Sequence, residues 1–125
     1  MITEEMKLLC LIEGENLAHR HFRGNGEVFT HTKLVLEILE EMPDEIWDEG
    51  KTFADAQCGN GQMLIPVAII KKELGHKNIL ETIFGADLMD DNVQECRNRL
   101  LQVCGINKKN LKITENNVIC KDALK

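Results

Sequence analysis

Asp55 and Asp87 stand 32 residues apart, and each closes a short apolar run, Phe53-Ala54 before the first and Ile83-Phe84-Gly85-Ala86 before the second. Gly59-Asn60-Gly61 follows the first acid at turn distance, and Met63, Leu64, Val67 and Ile70 then recur at helical spacing. The order is strand, tight turn, helix, strand. Glycines at 59 and 61 admit positive φ and keep a Cβ out of a ligand's path. In a right-handed βαβ unit both acids come to the carboxyl ends of neighbouring parallel strands, where open α/β sheets bind ligands. There, an acid after the second strand can accept hydrogen bonds from a ribose diol. An acid at the first turn repels a pyrophosphate and suits a cationic group.

The elements that must position these residues are legible from periodicity and punctuation. Residues 3 to about 21 predict a helix with Leu8, Leu9, Leu11, Ile12 and Leu17 as its apolar stripe and Thr3 as a cap. Gly24-Asn25-Gly26 breaks it. Thr30 or Thr32 caps a second helix through Met42, with Leu34, Val35, Ile38 and Leu39 facing inward and Pro43 beyond its end. Strand one is expected at about Thr52 to Asp55, then a helix from about Gln62 to Leu74 with Gly75 at its C-cap. Strand two follows at about Thr82 to Asp87. Asp90, Asp91 or Asn92 caps a helix to Cys104, which stops at Gly105; the next expected element is strand three, Asn117 to Cys120. The fold class is α/β, a partial Rossmann-like three-layer sandwich of about three parallel strands in the order 3-2-1. It forms one domain, with N-terminal helices over 1–45 and the Rossmann-like half over 46–125.

Asp55-x-x-Cys58-Gly59-Asn60-Gly61-x-x-Leu64 resembles the first motif of class I S-adenosylmethionine (SAM) dependent methyltransferases, in the form found in amino-group (N6-adenine) DNA methyltransferases. Ala56-Gln57 stands where that family usually has Pro-Ala. Gly85-Ala86-Asp87-Leu88-Met89 resembles the second motif, whose acid binds the ribose. Gly26-Glu27-Val28-Phe29-Thr30-His31-Thr32 is similar to the segment placed over the methionine end of SAM, with His31 at the usual proline. Asn117 to Leu124 resembles the third motif, which puts Asp122 near the adenine. The resemblance implies a cofactor, SAM or S-adenosylhomocysteine, contacted by Phe29, Thr30, Asp55, Cys58, Gly59, Asn60, Gly61, Asp87, Leu88 and Asp122. It also resembles compact proteins of tailed bacteriophages, which implies the host cytoplasm.

The family's catalytic Asn/Asp-Pro-Pro-Tyr/Phe is absent: the only prolines are Pro43 and Pro66, and no aromatic follows Phe84. A wall for stacking a flipped base is therefore missing too, and the catalytic residues stay unassigned. Thr30 serves as a helix cap, a ligand contact or both, and Asp87 has the same two readings. A net charge of −6 argues against unaided nucleic-acid binding. No apolar run approaches 18 residues, and five cysteines without a secretory pattern fit reduced thiols in the cytoplasm. His19 and His21 point apart on a helix, and no Cys-x-x-Cys occurs, so no metal site is expected. Strand one, at the edge of a 3-2-1 sheet, predicts a dimer or a partner chain that completes the sheet. Nucleic acid would be reached only through a partner, and no membrane is implied. Three functions fit: a methyltransferase-like protein inactive alone, as a fragment or subunit of a larger enzyme; a non-catalytic SAM-binding or interaction module; and a small enzyme with another use of SAM, such as cleavage.

Overall fold

The computed structural model describes residues 2–21 and 27–122, without the side chains of 17–31. Its elements are α1 (Glu4–His21), α2 (Glu27–Glu40), β1 (Phe53–Asp55), α3 (Leu64–Glu73), β2 (Ile83–Asp87), α4 (Asp90–Cys104), α5 (Lys108–Asn117) and β3 (Val118–Cys120). Short 3-10 helices at Asp44–Trp47 and Ile79–Thr82 lead towards β1 and β2. The strands form one parallel sheet with β2 in the middle, the expected 3-2-1 arrangement. Phe53 pairs with Ile83 and Asp55 with Gly85; Gly85 pairs in turn with Val118 and Asp87 with Cys120. Both acids therefore stand at the same end of the sheet.

Helix α3 is the centre of the molecule. Its run Leu64-Ile65-Pro66-Val67-Ala68-Ile69-Ile70 is buried throughout, because the sheet, α4 and α1 surround it, and a helix apolar on all sides needs such a setting. Pro66 lies in the first turn, where a missing N–H loses no intrahelical bond. Lys71 is buried as well, at 1 % exposure. Its Nζ donates to Lys51 O at 2.6 Å and Thr82 Oγ1 at 2.7 Å and lies 5.1 Å from the centre of the Phe53 ring. Phe53 in turn stacks on Trp47. Burial pushes the Lys71 ammonium below its usual range.

The two faces of the sheet differ. Ile83, Gly85 and Val118 are buried on the helical side, whereas Ala54, Phe84 and Ile119 are exposed on the other. Among the described residues, the sandwich thus has its sheet and the helical layer on one face. No described strand covers the outer edge of β1. No helix among the described residues is long and apolar enough to cross a membrane.

Several local expectations give way to tertiary packing. On α1 the buried line is Met6, Cys10 and Gly14, while Leu8, Leu9 and Ile12 are exposed and Leu11 is half-buried; the expected Leu17 lies outside the described side chains. The cause is close helix approach: a Cβ on Gly14 would meet Thr32 Oγ1 at 2.5 Å. Helix α2 already begins at Glu27, so neither Thr30 nor Thr32 is its cap, and Thr32 is buried in the helix interior. Val35 and Leu39 face inward as expected, but Leu34 and Ile38 are exposed and Leu36 takes the buried place. Helix α5 is an element the sequence reading does not place. Asn107 caps it, accepting from Asn110 N at 2.9 Å.

Candidate functional site

Beyond β1 the chain turns sharply and stays beside β2. Asp55 Oδ1 accepts from Gln57 N at 3.0 Å, the local turn an aspartate forms with the backbone two residues on. Cys58 N then donates to Ala86 O at 2.9 Å, and Gly61 N to Cys58 O at 2.9 Å. This path brings Gly59 N to Asp87 Oδ1, 3.3 Å away. The strand-end acid and the glycine turn are thus in direct contact.

The two glycines differ in purpose. Gly59 has φ +54° with nothing within 4 Å of where a Cβ would stand, so its requirement is conformational and its outer side is open. Gly61 has φ +105°, and a Cβ there would meet Ile65 Cγ1 at 2.8 Å and Cys96 Sγ at 3.3 Å. Its missing side chain makes room for α3 and α4. Gly85 does likewise, with Leu64 Cδ1 at 2.9 Å from its would-be Cβ.

Asp87 does most of the local binding. Besides Gly59 N, it accepts from Met89 N at 3.0 Å and Asn92 Nδ2 at 3.1 Å, both on Oδ2. It therefore secures the start of α4, whose N-cap is Met89 with no side-chain cap; Asp90, Asp91 and Asn92 lie inside the helix. Partial burial pushes the Asp87 carboxyl up, but the bonds from Met89, Asn92 and Gly59 outweigh this and hold it below the usual carboxylate range. A carboxylate offers about four acceptor positions. Donors among the described residues take three of them, two on Oδ2 and one on Oδ1.

The remaining expected residues fall into two groups. Leu88 is 67 % exposed beside Asp87, and Lys121 N donates to Asp87 O at 2.9 Å, so Asp122 follows β3 at the same end of the sheet. Cys58 and Asn60 are instead turned inward. The Cys58 thiol, 2 % exposed, is pulled down by a hydrogen bond from Cys96, against burial and the charges of Asp87 and Asp55. Cys96 is pushed well up by the same bond and by burial. Asn60 accepts from Arg99 Nη1 through O at 2.8 Å and Oδ1 at 3.3 Å, and its Nδ2 donates to Glu95 Oε1 at 2.8 Å. Phe29 and Thr30 belong to α2 by backbone, and their side chains, like those of His19 and His21, lie outside the described residues. Among the described residues, no group of three or more His, Cys, Asp or Glu is placed to hold a metal ion.

Two buried or half-buried charged residues behind the turn escape the sequence reading: Arg99, which donates to Asn60, and Glu13, which pairs with Arg99. The available signal is an arginine within the stripe Val93, Cys96 and Leu100 of α4, where it must be buried and paired. A cavity of about 270 Å³ lies at the opposite end of the sheet, lined by residues that include Lys72, His76, Glu81 and Lys109. Comparison with protein-family models, curated proteins and solved structures finds no match for this chain.

Proposed function

We propose that this chain binds SAM or S-adenosylhomocysteine at the carboxyl end of its sheet, as a methyltransferase-like protein that does not transfer methyl groups alone. The observation that carries the reading is the 3.3 Å contact between Gly59 N and Asp87 Oδ1. It sets an open positive-φ glycine beside an acid, a geometry suited to a nucleoside sugar. The charge favours a cationic ligand over a phosphate: Asp55, Asp87, Asp90, Asp91 and Asp122 all stand at this end. Titration calorimetry with the purified chain tests the reading. Asp87→Ala should weaken binding by about 1.5–3 kcal/mol, the worth of a charge-assisted hydrogen bond. Absence of heat from either ligand at millimolar concentration in the wild type would defeat it.

Residues 1–125 carry no Asn/Asp-Pro-Pro-Tyr/Phe and no aromatic after Phe84, which supports a cofactor-binding module whose acceptor site, for any methyl transfer, is supplied from outside these residues. The open outer edge of β1, the exposed Phe84 and Ile119, and the exposed Leu8, Ile12, Leu34 and Ile38 support a second copy or a partner chain that completes the sheet or covers α1 and α2. Five free cysteines support a cytoplasmic setting. Labelled SAM should give no methyl transfer to DNA or RNA with this chain alone. Transfer that disappears in Asp55→Ala would make it an enzyme in its own right.

A further inference from the structure

Arg99 is 3 % exposed and spends its guanidinium in two directions. Nε and Nη2 form a two-pronged pair with Glu13 of α1, at 3.0 and 2.6 Å. Nη1 reaches the other way, to Asn60 O at 2.8 Å and Asn60 Oδ1 at 3.3 Å. The planar fork makes this possible, because its donors are held at fixed angles and cannot be re-aimed one at a time. Glu13 supplies the counter-charge that a buried guanidinium requires. Asn60 is further held by Glu95 through Nδ2 at 2.8 Å. The middle residue of the glycine turn is thus gripped from behind by α4, and that grip is completed by a carboxylate from α1.

We infer that Glu13 and Arg99 are positioning residues through which the N-terminal helices set the conformation of the Gly59-Asn60-Gly61 turn. The inference rests on the proposed ligand only for its consequence, that affinity at the turn depends on docking of α1. The physical reason is the sharing of one cation. When α1 withdraws Glu13, Arg99 loses its counter-charge, and the guanidinium gains by turning out to solvent, which releases both contacts to Asn60. Bonds from Gly59 N to Asp87, Cys58 N to Ala86 O and Asn60 Nδ2 to Glu95 also hold the turn. Gly59 and Gly61, however, carry no side chains and lose the most conformational freedom on ordering, so the loss of two contacts at Asn60 is felt there. Linkage then works both ways: a ligand that needs the ordered turn favours docked α1 by the same factor.

Amide exchange in the ligand-free protein tests the coupling directly. Glu13→Gln, which keeps the shape and removes the charge, should speed exchange at Gly59 and Gly61 about tenfold while the β2 amides of Ile83 to Ala86 stay protected. A merely structural role would move both sets together. Lys7→Gln removes the α1–α2 pair with Glu40 (3.0 Å) without touching the turn, and should leave Gly59 and Gly61 as they are. In calorimetry with S-adenosylhomocysteine, Glu13→Gln should bind about tenfold more weakly than wild type. Equal exchange at the turn in wild type and Glu13→Gln, a rise matched in β2, or unchanged affinity would each overturn the coupling. Failure of the wild type to bind would sink the proposed ligand, and the exchange comparison would still decide this inference.

Discussion

The two ends of the parallel sheet differ in kind. The amino end has a cavity of about 270 Å³ lined by basic and polar groups, some bonded within the fold and one, His76 Nδ1, buried without a hydrogen-bond partner among the described residues. Lys72 Nζ donates to Val103 O at 2.9 Å near the end of α4, Lys109 lies 3.9 Å from Glu81, and Asn110 Nδ2 donates to Gly105 O. Cations at helix carboxyl ends satisfy leftover carbonyls and the helix dipole. The carboxyl end has a positive-φ turn and a cluster of acids. Concavity and the acid–glycine arrangement therefore point to opposite ends of the sheet. What separates the two is charge and backbone: lysines and His76 line the cavity, whereas acids and a positive-φ glycine turn stand at the carboxyl end.

The largest expected effect comes from Gly61→Ala. Its Cβ would collide with Ile65 and Cys96 at a φ of +105°, and overpacking together with backbone strain costs about 3–5 kcal/mol. Urea unfolding measures it; a loss under about 1 kcal/mol would mean the turn can shift outward and that its geometry is not fixed by α3 and α4. Asp87→Ala comes next, at about 2–3 kcal/mol of stability, since three donors lose a charged acceptor.

The same aspartate has a pH signature. Because its folded value lies below the ordinary one, the stability it contributes is complete above the ordinary carboxylate range and is lost as pH falls through the lower, folded value. The acid limb of the stability curve should accordingly be shallower in Asp87→Ala, and identical limbs would show that the carboxylate gains nothing from its partners.

Gly59→Ala sharpens the contrast between neighbouring glycines. Only φ opposes it, at +54° with open space around, so stability should fall by about 1–2 kcal/mol while ligand affinity falls more than tenfold. Equal stability losses for Gly59→Ala and Gly61→Ala would erase the distinction. At the other end of the sheet, Lys109→Ala should change stability by less than about 0.5 kcal/mol and ligand affinity not at all, its partner being exposed. A large affinity loss there would mean that the amino end is the binding end.

What was readable in the chain follows rules of short range. An apolar run that ends in an acid, then two glycines, then apolar residues at helical spacing gives β1, the turn and α3 within one or two residues of their observed bounds. Parallel pairing puts Asp55 and Asp87 at one end of the sheet because each is the last residue of its strand. Helix α5 was harder, since Lys108-Lys109-Asn110-Leu111-Lys112-Ile113 carries few apolar residues and only Asn107 announces its start.

By itself the sequence determined where most of the chain turns, extends or coils, and that an acid closes each of the first two strands, because these depend on φ preferences and periodicity over a few residues. Tertiary structure decided the rest. It chose Met6 and Cys10 over Leu8 and Ile12 as the inward side of α1, since Gly14 lets α2 come close on that side. It consumed three of Asp87's acceptor positions, buried Lys71 over Phe53, and joined Glu13 to Arg99 across 86 residues. Apart from the two local bonds that Met89 and Asn92 give Asp87, these are contacts between segments far apart in the chain, and local rules carry no information about which distant group arrives to claim a donor, an acceptor or an apolar face.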